Sequence, residues 1–174
     1  MSTSLPAYVD AWRMVEERRI FEGVLPVAGF RRLRGVLAGD TGDVEYRLEF
    51  VRNDLGGAAL LLDVTAALTL TCQRTLDPFV LPVDLHAQLG LIAHEREEAA
   101  LAPGFEPLLV AADGRIEPAA VIEDELVLAV PLVPVAPNST WPEQGRGTGP
   151  DAGPDIAEKP NPFAVLRELK NTRD

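Results

Sequence analysis

Between Leu60 and Ala93 the chain alternates apolar and polar residues twice over, with a single break between the two runs. Leu60, Leu62, Val64, Ala66, Leu68, Leu70 and Cys72 occupy every second position of the first run. Phe79, Leu81, Val83, Leu85, Ala87, Leu89, Leu91 and Ala93 do the same in the second, against Val80, Pro82, Asp84, His86, Gln88, Gly90, Ile92 and His94. A period of two is that of a strand with one face buried and the other solvated. Two such runs joined by the short stretch Thr71–Phe79 pair most simply as antiparallel neighbours. Cys72, the only cysteine, closes the first apolar row beside the turn.

The same pattern extends upstream. Val44, Tyr46, Leu48 and Phe50 alternate with Glu45, Arg47, Glu49 and Val51, and the turn residues Asn53, Asp54, Gly56 and Gly57 follow,. The reading is therefore an α+β fold built on a central antiparallel meander with a few short helices. Ile20–Val27 is expected as a first, edge strand, a place that Pro26 suits. Phe30, Leu33 and Leu37 repeat at helical spacing up to Gly39, with Arg31, Arg32 and Arg34 on the outer side. Met1–Trp12 reads as a loosely held leader. After the meander, Glu106–Val110 reads as a short strand closed by Asp113-Gly114, and Pro118 starts a helix whose stripe is Ile122, Leu126 and Ala129. One domain, residues 1–135, is expected.

From Ala136 to Glu158 four prolines and four glycines fall within 23 residues and no hydrophobic period remains, so residues 136–160 read as a flexible linker. Residues 161–174 resume with Asn161 as a cap and Pro162 at the first helical position. Phe163, Leu166 and Leu169 form a short apolar stripe there, a candidate partner-binding surface for helix-in-groove docking or for packing back on the sheet.

The net charge of −11 excludes indiscriminate binding of polyanions, because phosphate affinity comes from neutralising cations,. One region departs from that balance. Between Ala11 and Arg34 six arginines face three glutamates. Arg18, Arg19, Arg31, Arg32 and Arg34 are therefore the candidate phosphate-contacting residues, since the planar guanidinium fork engages phosphate best, and the RNA-binding residues if the ligand is a nucleic acid, as the resemblance described below implies. A single cysteine suits a reducing compartment. Met1–Asp10 lacks a secretory apolar core, and the apolar run Leu126–Ala136 is short of the roughly 20 residues that span a bilayer. A cytoplasmic protein contacting neither membrane nor DNA is expected.

Catalytic motifs are missing: the sequence has no P-loop, dinucleotide fingerprint, nucleophile elbow or metal-binding helix signature,. Structural zinc takes four Cys or His ligands, whereas this chain offers one Cys and two His,. His86 and His94, on one continuous strand, would stand on the order of 26 Å apart. Cys72 is thus read as a buried structural thiol, Glu123-Asp124-Glu125 as a solvated helix face whose side chains diverge, and the expected protein has neither metal nor cofactor and is not an enzyme.

Three segments in order carry a resemblance: Cys72-Gln73-Arg74-Thr75-Leu76-Asp77-Pro78-Phe79, then Glu123–Pro134, then Lys159-Pro160-Asn161-Pro162-Phe163-Ala164-Val165-Leu166. The chain resembles the YceD family of large ribosomal RNA subunit accumulation proteins. That resemblance implies a non-enzymatic role in processing or accumulating large-subunit ribosomal RNA, through contact with this RNA, its precursor, or ribosomal and assembly proteins. It implies no catalytic residue. Where the family often has a second cysteine, as C-x-R-C, this chain has Thr75.

Overall fold

A computed structural model describes residues 5–139 of the chain. The elements are β1 (Val9–Asp10), α1 (Ala11–Glu16), β2 (Ile20–Pro26), α2 (Arg31–Arg34), β3 (Asp43–Arg52), β4 (Ala58–Thr71), β5 (Pro78–Ile92), β6 (Glu106–Leu109), β7 (Arg115–Ile116) and α3 (Pro118–Ala129). The principal sheet has the order β2-β3-β4-β5-β6. Its first four strands form the antiparallel meander that the alternation predicts, with Leu48 opposite Leu62 and Leu62 opposite Ala87. The fifth strand pairs parallel to β5, aligning Leu91 with Leu108, so the sheet is mixed.

Alternation sorts the side chains by face. Val44, Tyr46, Leu48 and Phe50 of β3 and Leu60, Leu62, Val64, Ala66 and Leu68 of β4 are buried together with Phe21, Leu33, Val121, Ile122 and Leu126. Phe21 meets Phe50 edge to face at 6.1 Å, and α1 and α3 pack on this inner side. Near its end β5 loses the alternation. Gly90, Leu91 and Ile92 are all buried, because the 3-10 turn at 95–100 folds back and sets Leu101 on Gly90, where a Cβ would lie 2.4 Å from Leu101 Cδ2.

Two expectations need correction. The supposed leader is structured: β1 pairs antiparallel with β7, Asp10 caps α1 by accepting from the Arg13 amide at 3.0 Å, and Ala11 and Val15 are buried. The helix expected up to Gly39 is only the single turn Arg31–Arg34, ending at Gly35. Beyond it, Ala38 donates to the Thr69 carbonyl and Gly39 bridges Thr69 of β4. At the start of the segment expected as a linker, Ala136 and Ser139 are hydrogen-bonded to the β4–β5 connection. Residues 140–160 of that segment and the stripe Phe163, Leu166 and Leu169 lie outside the described residues.

Candidate functional site

The five candidate arginines divide between the two ends of β2. Arg18 and Arg19 precede it, Arg18 in a turn with φ of 48°. Arg31, Arg32 and Arg34 follow it, on α2. Seven residues of strand separate the groups, a span of about 20 Å at the ordinary strand rise. They therefore make two cationic points instead of one patch. Arg19 lies 5.7 Å from the Phe21 ring centroid, while its carbonyl accepts from Phe50. Among the described residues, Arg18, Arg31 and Arg34 are exposed without an ion pair.

Arg32 is differently placed. Its Nε donates to Glu123 Oε2 at 3.2 Å and its Nη1 to Asp124 Oδ1 at 2.5 Å. The other Glu123 oxygen accepts the backbone amides of Arg32 at 2.6 Å and Leu33 at 3.2 Å. One carboxylate thus closes the N-terminus of α2 and holds its arginine, a charge-assisted arrangement. The hydrogen bonds that Arg32 donates to Asp124 and Glu123 raise its pKa. The expected phosphate-binding fork is already occupied, and the solvated acidic face is in two of its three members a brace between α3 and α2. Glu125, the third, has its pKa raised, chiefly by burial and then by Glu106 and Asp124. No local sequence signal reports this brace, because its partners are 91 and 92 residues apart.

The β4–β5 connection is the second structured locus. Leu76, with φ of 64°, donates to the Cys72 carbonyl, and Cys72 donates to that of Asp77. The chain leaving α3 straps this turn down: Gln73 donates to the Pro134 carbonyl at 2.8 Å, Arg74 Nη1 to that of Ser139 at 2.5 Å, and Ala136 N to Cys72 Sγ at 3.4 Å. Cys72 is fully buried, as expected. The amide of Ala136, then the hydroxyl and amide of Thr75 and the amide of Arg74, favour the thiolate and outweigh desolvation, lowering the thiol to about 6,. Thr75 therefore acts as a donor to Cys72.

The histidines do not converge. β5 ends at Ile92, so His94 has left the strand. His86 Nδ1 lies 2.7 Å from Asp63 Oδ1 and its Nε2 3.7 Å from Asp84 Oδ1, and these carboxylates, Asp63 first, raise its pKa. Among the described residues, no three Cys, His, Asp or Glu side chains group so as to hold a metal ion, and no helix is long and apolar enough to cross a membrane.

Residues 60–170 match the family described as large ribosomal RNA subunit accumulation protein YceD. The chain belongs to the YceD family. A YceD protein of Haemophilus influenzae, named large ribosomal RNA subunit accumulation protein, is 28% identical over 170 residues, covering 95% of this chain and 96% of that relative. No solved structure matches. The span matched to YceD starts at the first residue of the long alternating run, so all five arginines precede it. It includes both partners of the strap: Gln73, in the first of the three segments that carry the resemblance, donates to Pro134, the last residue of the second, while Ala136 and Ser139 lie just beyond that segment. The third, 159–166, lies outside the described residues.

Proposed function

We propose that this protein supports the accumulation of large-subunit ribosomal RNA in the cytoplasm, by contact with that RNA, its precursor or the assembling particle, and without chemistry of its own. Membership of the YceD family, with a relative so named aligned over nearly the whole chain, carries this reading. Arg31 and Arg34, with Arg18 and Arg19 at the far end of β2, are the residues proposed to meet phosphate. Their exposure supports that role. Arg32 contributes by bracing α2 through Glu123 and Asp124, which keeps its neighbours in place.

Deletion of the gene should lower large-subunit ribosomal RNA relative to the small-subunit species, with wild-type protein restoring the ratio. For the surface, filter binding of the purified full chain to precursor RNA across a salt series is the test. The paired substitution R31A/R34A should weaken binding and reduce the slope of log affinity against log salt by about 1–2, as expected when two phosphate contacts are lost. Unchanged affinity with a normal melting curve would exclude these two arginines from the interface.

A further inference from the structure

The principal sheet has one face under helices and one without. Leu101 covers only the far end of the second face, at Gly90. Over the rest of it, register brings Glu22, Asp43, Glu45, Glu49, Asp63 and Asp84 to the same side as Arg47 and His86. Arg47 bridges Glu22 at 3.3 Å and Glu49 at 3.1 Å, and His86 takes Asp63. Glu45 and Asp43 have no ion pair among the described residues. A depression of about 360 Å³ lies among Glu22, Val24, Glu45, Arg47, Asp63 and Thr65.

This depression borders the free edge of β2. Phe50 donates to the Arg19 carbonyl, which makes Arg19 and Phe50 a hydrogen-bonded pair. Alternation along an antiparallel ladder then directs the backbone groups of Phe21, Gly23 and Leu25 to β3 and those of Ile20, Glu22 and Val24 outward. Among the described residues nothing pairs with that edge. The side chains of Ile20 and Val24 on the same strand are 44% and 57% exposed. An open edge with apolar side chains between acids is a template for strand addition.

From this edge, the depression and the excess of carboxylates, we infer that the β2 edge and the acidic sheet face beside it bind an extended, lysine- and arginine-rich segment of a partner protein. The segment adds as a further strand to β2. Its side chains on the acidic face place cations among Glu22, Glu45 and Asp63 with their aliphatic stems along Val24, and the intervening apolar side chains turn to the other face, beside Phe21 and Leu25,. A phosphate backbone would meet carboxylates here, so this surface is separate from the RNA contact proposed above and stands or falls independently of it.

The probe is an acetylated, amidated peptide of alternating Lys and Val, titrated into the isotope-labelled full chain with amide resonances observed. The expected result is saturable shifts at Ile20, Glu22, Val24 and Thr65, slowed amide exchange at Ile20, Glu22 and Val24, and no binding of the matching Glu-Val peptide. The triple variant E22K/E45K/D63K should weaken binding by about tenfold or more, as reversal of complementary charge does. E95K/E98K/D54K, an equal charge change elsewhere, should leave it unaltered. V24P removes an outward N–H that β3 does not use and should abolish the slowed exchange while the sheet persists. Shifts mapping elsewhere, equal weakening by the two triple variants, or full binding by a folded V24P would each overturn the inference.

Discussion

The two faces of the sheet are drawn from the same strands and could hardly differ more. On β4, Leu60, Leu62, Val64 and Leu68 point into a core where each is at most 1% exposed, and the intervening Asp63 and Thr65 stand in solvent beside Arg47 and His86. The inner face is closed by α1 and α3, whereas the outer face keeps its charges and one strand edge open. The first arrangement supplies stability by burying apolar surface. The second leaves surface available for recognition, so substitutions on adjacent residues of one strand should have unlike consequences.

The largest effect belongs to the inner face. Leu62→Ala removes a fully buried side chain between Leu48 and Ala87 and should cost about 2–5 kcal/mol,. Thr65→Ala, on the outer face, should change stability by less than about 0.5 kcal/mol. Urea unfolding of the two variants measures the contrast. Equal losses would mean that the outer face is covered in solution.

A second test lies where the inner row ends. Because the Cys72 pKa is lowered in the folded protein, the folded state binds fewer protons than the unfolded one between about 6 and the ordinary thiol range,. This contribution is present in full above the unfolded pKa and is lost as pH falls through about 6. Wild-type stability should therefore rise from pH 6 to pH 9 more steeply than that of Cys72→Ala. Thiolate absorbance of the native protein should titrate near pH 6; a midpoint near 8.5 would show that the amide donors do not hold the thiol as described.

The smallest effect is on the outer face. Asp63→Asn should bring the His86 titration, followed by NMR, down toward its ordinary value, with little change in melting temperature because both groups are exposed,. His86 has a raised folded pKa, so its small stabilising contribution is complete below the unfolded pKa and disappears as pH rises through the folded one. A large loss of stability in this variant would blur the distinction between the faces.

What the sequence reveals follows the range of the interaction concerned. The meander is legible because a period of two is local and persists through β3, β4 and β5. The acids of the outer face are equally visible in it, as the residues between apolar positions. By contrast, β1 has two residues and α1 six, too few to establish a period, and they are held by contacts with β7. The parallel pairing of β6 arises from tertiary docking and leaves no mark on its four residues. The Arg32–Glu123 brace and the strap over Cys72 join positions more than 60 residues apart. Such pairings depend on chain geometry and have no neighbouring sequence signal.

The strap also gives the protein an internal clock. During synthesis the hairpin of β4 and β5 can close as soon as Ile92 has emerged, whereas the Ala136 amide that donates to Cys72 arrives 64 residues after that cysteine. Contacts at such separation bear a larger loop-closure cost and form after local ones. Until then Cys72 lacks the first of its donors and should react as an ordinary thiol at neutral pH. Its burial marks the moment at which the chain past α3 has joined the sheet, so a thiol-reactive pulse on stalled nascent chains of increasing length would time that event.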